Sequence, residues 1–188
     1  TMEELELMAN TIVVFLSDHG HSLGEHGITG KIAWAMYPEL IDIPALYYSP
    51  TMEQGRTADG LIYNVDLVST AINEAGVPPP EPLDGIDTRA MGDGGHGGRP
   101  YVTSAMRDFA YVREGRHVLI AHFKGSQYQL FDVRKDPGHE RNIAAENREL
   151  CDRMFGLALQ DAGGELPVYD RKATFADVET LLWEQVEA

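Results

Sequence analysis

The sequence predicts an α/β fold: a mostly parallel sheet flanked by helices, then a small antiparallel four-stranded sheet packed with a helix. Three observations carry this. Residues 11–16 (TIVVFL) form an unbroken β-branched and aromatic run, the pattern of a strand buried on both faces. Residues 64–75 carry apolar side chains at helical spacing, and beyond residue 101 the apolar period changes to two.

In chain order, Leu5 and Met8 with acids between them read as the last turns of an amphipathic helix. After the strand at 11–16, residues 43–48, fenced by Pro44 and Pro50, give a second short strand. Asn64 caps a helix in which Val68, Ala71, Ile72 and Ala75 mark one face, and Gly76 takes the left-handed position after its end. Residues 78–82 (PPPEP) fix φ repeatedly and remove backbone donors, which makes a stiff connector. The expected units are therefore residues 1–85, within an α/β domain, and residues 86–188, a smaller α+β unit.

The second unit opens on a loop with five glycines in seven positions, residues 92–98. Short β-rich runs at 101–106, 109–113, 116–123 and 128–133, separated by hairpin-sized breaks, predict an antiparallel meander. A turn at Asp136-Pro137-Gly138 leads to a helix over 147–162, with Leu150, Met154 and Leu157 inward and Gly163-Gly164 as its stop. Thr174 and Asp177 resemble a capping box for a last helix carrying Val178, Leu181, Leu182 and Val186.

Composition excludes some functions. With 188 residues and 43% hydrophobic side chains, the chain can bury a core of roughly 70% of its unfolded surface. No apolar stretch approaches the roughly 20 residues of a bilayer span, so no membrane partner is expected. Thirty acidic against fifteen basic residues, a formal charge of -15, repel nucleic acid. An anionic ligand must then be held by a local positive feature. The single cysteine, Cys151, rules out an internal disulfide and reads as packing.

The densest chemistry lies in residues 17–31, SDHGHSLGEHGITGK, directly after the first strand. Asp18 and His19 sit at the carboxyl edge of that strand, where open α/β sheets place ligands. Gly20 lets the chain turn at once, so a carboxylate and an imidazole can converge on one divalent cation as half of its shell. Lys31, twelve residues past His19 and beyond three glycines, can return to hold an oxygen of an anion shared with the cation. Such an arrangement suits sulfuryl or phosphoryl transfer, where charge spreads onto non-bridging oxygens. The plainer alternative is a turn in which Asp18 hydrogen-bonds its own backbone. His21 and His26 read as loop histidines, and His117, His122 and His139 as cross-strand or surface residues. His96 and Arg99 read first as part of a solvated loop, with contact to a substrate as the alternative; His96 is kept as a substrate-binding candidate.

The order T-I-V-V-F-x-S-D-H-G, L-G-E-H-G and a lysine twelve residues after the histidine resembles the carboxyl-terminal half of sulfatases, within the alkaline phosphatase superfamily. The helix NVDLVSTAINEAGVP, ending in LDG at 83–85, is similar to a block of that family. So are YVREGRHVLI at 111–120, YQLFDVRKDPG at 128–138 and the following Glu140-Arg141-Asn142. The resemblance covers residues 1 to about 165. It implies an alkaline-phosphatase-like sandwich, with Asp18 and His19 as the second pair of metal ligands and Lys31 as the catalytic, sulfate-contacting lysine. It implies hydrolysis of a sulfate ester on a small molecule or glycan, with calcium as the ion and a formylglycine nucleophile. Where many sulfatases have Asn, this chain has His19, as N-sulfatases and some glycosaminoglycan sulfatases do. The Asp-His pair also occurs among phosphonate and phosphate ester hydrolases, which would take manganese or zinc, so the ester class stays open. A non-catalytic metal- or glycan-binding fragment is the third reading.

No C-x-P-x-R or S-x-P-x-R nucleophile segment occurs in the 188 residues. The resemblance therefore implies that the chain alone is inactive and needs the amino-terminal half or an oligomer partner. Compartment stays open between extracytoplasmic and cytoplasmic, because no signal region is legible.

Overall fold

In a computed structural model, residues 1–79, 82–91 and 97–166 are described. His96 and the helix expected after Thr174 lie outside them. The first ten residues form turns ending in a 3-10 segment, Met8–Asn10, in place of the expected α-helical turns.

Strand β1 (Val13–Leu16) pairs with β4 (Ala45–Tyr48), with Phe15 opposite Leu46. The pairing is antiparallel, as are all strand pairs among the described residues, which corrects the expected mostly parallel sheet. Two-sided burial of β1 is not observed either: Phe15 is 59% exposed and Leu46 65%. A continuous apolar run records what a strand is able to bury, and the segments packed on β1 here screen one side of it. Between these strands lie a short hairpin, β2 (Ser22–Leu23) with β3 (Thr29–Gly30), and a single helical turn, α1 (Pro38–Ile41).

Helix α2 (Asn64–Glu74) is where the period places it, and Gly76 takes φ +67° after its end. Its cap is Tyr63, one residue before Asn64: the Asp66 carboxylate accepts the Tyr63 N–H at 2.7 Å. The buried face is Asp66, Leu67, Ser69 and Thr70, while Val68 is 50% exposed, so the expected face is displaced around the helix. A buried ion pair between Asp66 and Arg99 draws that side inward.

The meander forms as expected: β5 (Tyr101–Met106), β6 (Phe109–Glu114), β7 (His117–His122) and β8 (Ser126–Asp132), each paired with its sequence neighbour. Its inner strands, however, are buried on both faces. Phe109, Tyr111, Val118, Ile120 and Phe131 pack on Ala35, Met36, Tyr37 and Leu40. Ala110, Val112, Leu119, Ala121 and Leu130 pack on Cys151, Met154 and Ala158 of α3 (Arg148–Asp161). The continuous-run signal of a sheet covered twice thus belongs to β6 and β7. Gln129 ties the two layers, donating to the Trp34 carbonyl at 2.7 Å and accepting from the Tyr37 hydroxyl at 2.8 Å.

Candidate functional site

Beyond β1 the chain turns sharply at Gly20, whose N–H donates to the Leu40 carbonyl at 2.8 Å. A Cβ at this position would stand 1.9 Å from the Glu39 carbonyl oxygen, so only glycine permits the approach of the strand end to α1. The β2–β3 hairpin then returns the chain, and Gly30, at φ +102°, takes a backbone conformation closed to other residues just before Lys31.

These turns bring three side chains together. The Lys31 Nζ lies 3.0 Å from His19 Nε2, and His19 Nε2 lies 3.5 Å from Asp18 Oδ2. On the far side of the ring, His19 Nδ1 is 2.7 Å from the Gly20 carbonyl oxygen. A carbonyl only accepts and an ammonium only donates, so the ring carries its proton on Nδ1 and offers the lone pair of Nε2. Asp18 Oδ1 accepts the His19 N–H at 2.9 Å, the backbone bond of a simple turn, and leaves Oδ2 outward. That backbone bond, with the Lys31 charge behind it, holds the Asp18 carboxyl below its usual range.

Asp18 Oδ2 and His19 Nε2 are then two electron-pair donors facing one another with no proton between them. A cation resolves that arrangement, and two ligands on one divalent ion stand roughly this far apart at ordinary bond lengths. The donor set fits a metal on this ground. Oxygen and neutral nitrogen donors suit calcium, manganese or zinc. Among the described residues no group of three or more His, Cys, Asp or Glu side chains could hold an ion, so Asp18 and His19 make half a shell.

The three residues line a groove of about 410 Å³ whose other wall comes from Tyr63 and Asn64 at the start of α2 and from Thr103 and Ser104 on β5. Sequence reading missed this wall. A lone Asn or Ser carries no pattern, and only the packing of the meander brings β5 opposite Lys31. Arg99 does not line this groove. Its guanidinium donates to Asp66 Oδ1 at 2.6 Å, Oδ2 at 2.9 Å and the Asp84 carbonyl at 2.9 Å. His26 packs against Tyr37, with ring centroids 4.2 Å apart and planes tilted by 36°, away from the groove's lining. Cys151 is fully buried in the sheet–helix core, and burial raises its thiol pKa, as a packing residue requires.

Comparison with known proteins follows the same lines. Residues 1–77 match the family model described as Sulfatase. Over 174 residues the chain is 29% identical to the delta 4,5-hexuronate-2-O-sulfatase of Bacteroides thetaiotaomicron, covering 81% of this chain and 36% of that protein. It is 28% identical to arylsulfatase K of Rattus norvegicus over 165 residues, 79% of this chain and 29% of the relative. A solved 2-O GAG sulfatase superposes with a TM-score of 0.65 at 26% identity, over 90% of this chain and 42% of its own. The chain thus spans about a third of the length of these curated relatives. Family match, relatives and fold agree in likening this chain to the sulfatases, and it corresponds to the carboxyl-terminal part of those relatives.

Proposed function

We propose that this chain supplies one side of a sulfatase active site: Asp18 and His19 as metal ligands and Lys31 as the group that holds the sulfate. The observation that carries the reading is the convergence of a carboxylate, an imidazole lone pair and an ammonium within hydrogen-bonding reach on one groove. The bound cation would polarise the ester oxygens and draw negative charge onto itself. Lys31 would steady the non-bridging oxygens and the departing alkoxide, where charge develops. The attacking group, a formylglycine in this reading, comes from outside these 188 residues, because they contain no segment that could generate it. A sulfated sugar is the substrate class favoured by the names of two similar proteins, a hexuronate 2-O-sulfatase and a 2-O GAG sulfatase.

The test is calorimetric titration of 4-nitrophenyl sulfate into the chain with Ca²⁺, alongside Lys31→Ala. Loss of a charge-assisted contact should weaken binding by about tenfold, and ester should survive intact in both samples. Binding indifferent to Lys31 sinks the assignment. Turnover that depends on Lys31 sinks the claim that the attacking group lies elsewhere. Preference for the phosphate or phosphonate ester, with Mn²⁺ or Zn²⁺ in place of Ca²⁺, would move the chain to the phosphohydrolase reading, which the imidazole donor of His19 supports.

A further inference from the structure

His19 has one free lone pair, and the structure gives it a cationic partner already. With Nδ1–H committed to the Gly20 carbonyl at 2.7 Å, Nε2 is the only nitrogen able to bind a metal, and it accepts from Lys31 at 3.0 Å. Two cations cannot share one lone pair, and at such a distance they also repel. We propose that Lys31 and the divalent cation are alternative partners of His19 Nε2, so that the cation displaces the ammonium from the ring.

Lys31 leaves His19 as the cation arrives, and the N–H group it gave to the ring becomes a further donor for an oxyanion, beside the two it already has. Filling the cation site therefore strengthens the anion site beside it. The local structure allows this exchange. Lys31 is exposed and follows a two-residue strand, so its long side chain can turn without disturbing a core. His19, by contrast, is held by the Gly20 carbonyl on one side and by its own N–H to Asp18 Oδ1, so the ring stays in place as its partner changes. The exchange also suits a chain of charge -15, since an added divalent cation offsets the repulsion an anion meets at its surface. This inference rests on Asp18 and His19 being metal ligands.

The chain has four lysines, Lys31, Lys124, Lys135 and Lys172, so side-chain ammonium and imidazole nitrogen signals can be assigned by NMR. Zn²⁺, which is diamagnetic, serves as the probe, with inorganic sulfate added before or after it. Three results are expected. The Lys31 ammonium signal moves to its unbonded position at the same Zn²⁺ concentration that shifts His19 Nε2, and the Lys135 signal stays still. In Lys31→Met, His19 responds at a Zn²⁺ concentration about threefold to tenfold lower. Sulfate perturbs Lys31 at a lower concentration once Zn²⁺ is present. Independent movement of the Lys31 and His19 signals, an unchanged midpoint in Lys31→Met, or a sulfate response at Lys31 indifferent to Zn²⁺ overturns the exchange while leaving the ligands standing. If His19 never responds to the metal, or responds equally in Asp18→Ala, the ligand assignment itself falls and the exchange with it.

Discussion

His139 sits where two layers close over one side chain. It is 5% exposed, its ring is parallel to Phe131 at 4.7 Å, and Nδ1 has no partner. Burial pushes its pKa down to about 4, the nearby Asp136 pulls the other way, and Arg113 and His26 add to the fall. A depressed histidine contributes stability that is complete above the unfolded value of about 6.5 and drains away as pH falls toward 4, because the unfolded chain takes the proton first. Urea unfolding at pH 7 and pH 4.5 should therefore show a decline that His139→Leu reduces by up to about 3 kcal/mol. A decline of equal size in both proteins would show that this ring is not the proton acceptor. Sequence reading placed His139 on the surface because its cover comes from Tyr37, about a hundred residues away, and from Phe131. The site residues were legible for the opposite reason. Asp18, His19 and Lys31 lie within fourteen positions, and the glycines between them announce the turn that joins them.

Among the elements, α2 depends on one charged residue at its start. Asp66 has no exposed surface and accepts from the Tyr63 and Ile86 N–H groups as well as from Arg99. Burial alone would raise its pKa, but the Arg99 guanidinium and the two amides outweigh it and hold the carboxyl low. Asp66→Ala leaves the buried side of Arg99 without its partner and should cost about 3–5 kcal/mol, read as a lower urea midpoint. Adding Arg99→Met should restore part of that loss, and a purely additive double variant would mean the pair is not coupled. Helical spacing found this element and its end but not its inward face. Periodicity weighs apolar residues, whereas here the inward pull comes from an acid, a serine and a threonine that no hydropathy pattern would bury. The meander was legible strand by strand, since each turn is local, but its double cover was not: α1 and α3 reach it from opposite ends of the chain.

At the scale of the whole molecule, two exposed apolar side chains face one another across a strand pair. Phe15 and Leu46, cross-strand partners on the β1–β4 ribbon, are 59% and 65% exposed, on a two-stranded sheet that the described residues leave unextended. Such a ribbon is a template for a further strand. Light scattering of the chain should report association that Phe15→Lys with Leu46→Lys suppresses; a monomer unchanged by dilution and by those substitutions would remove the case for a covering partner. The meander has the opposite character. Every strand in β5–β8 pairs with its neighbour in sequence, and tight turns join them, so little entropy is lost in closing each hairpin. It can assemble early and act as a platform. The glycine-rich hairpin that delivers Lys31 then settles onto a finished surface through the neighbouring Trp34 and Tyr37, and chemistry at residues 18–31 waits on residues synthesised a hundred positions later.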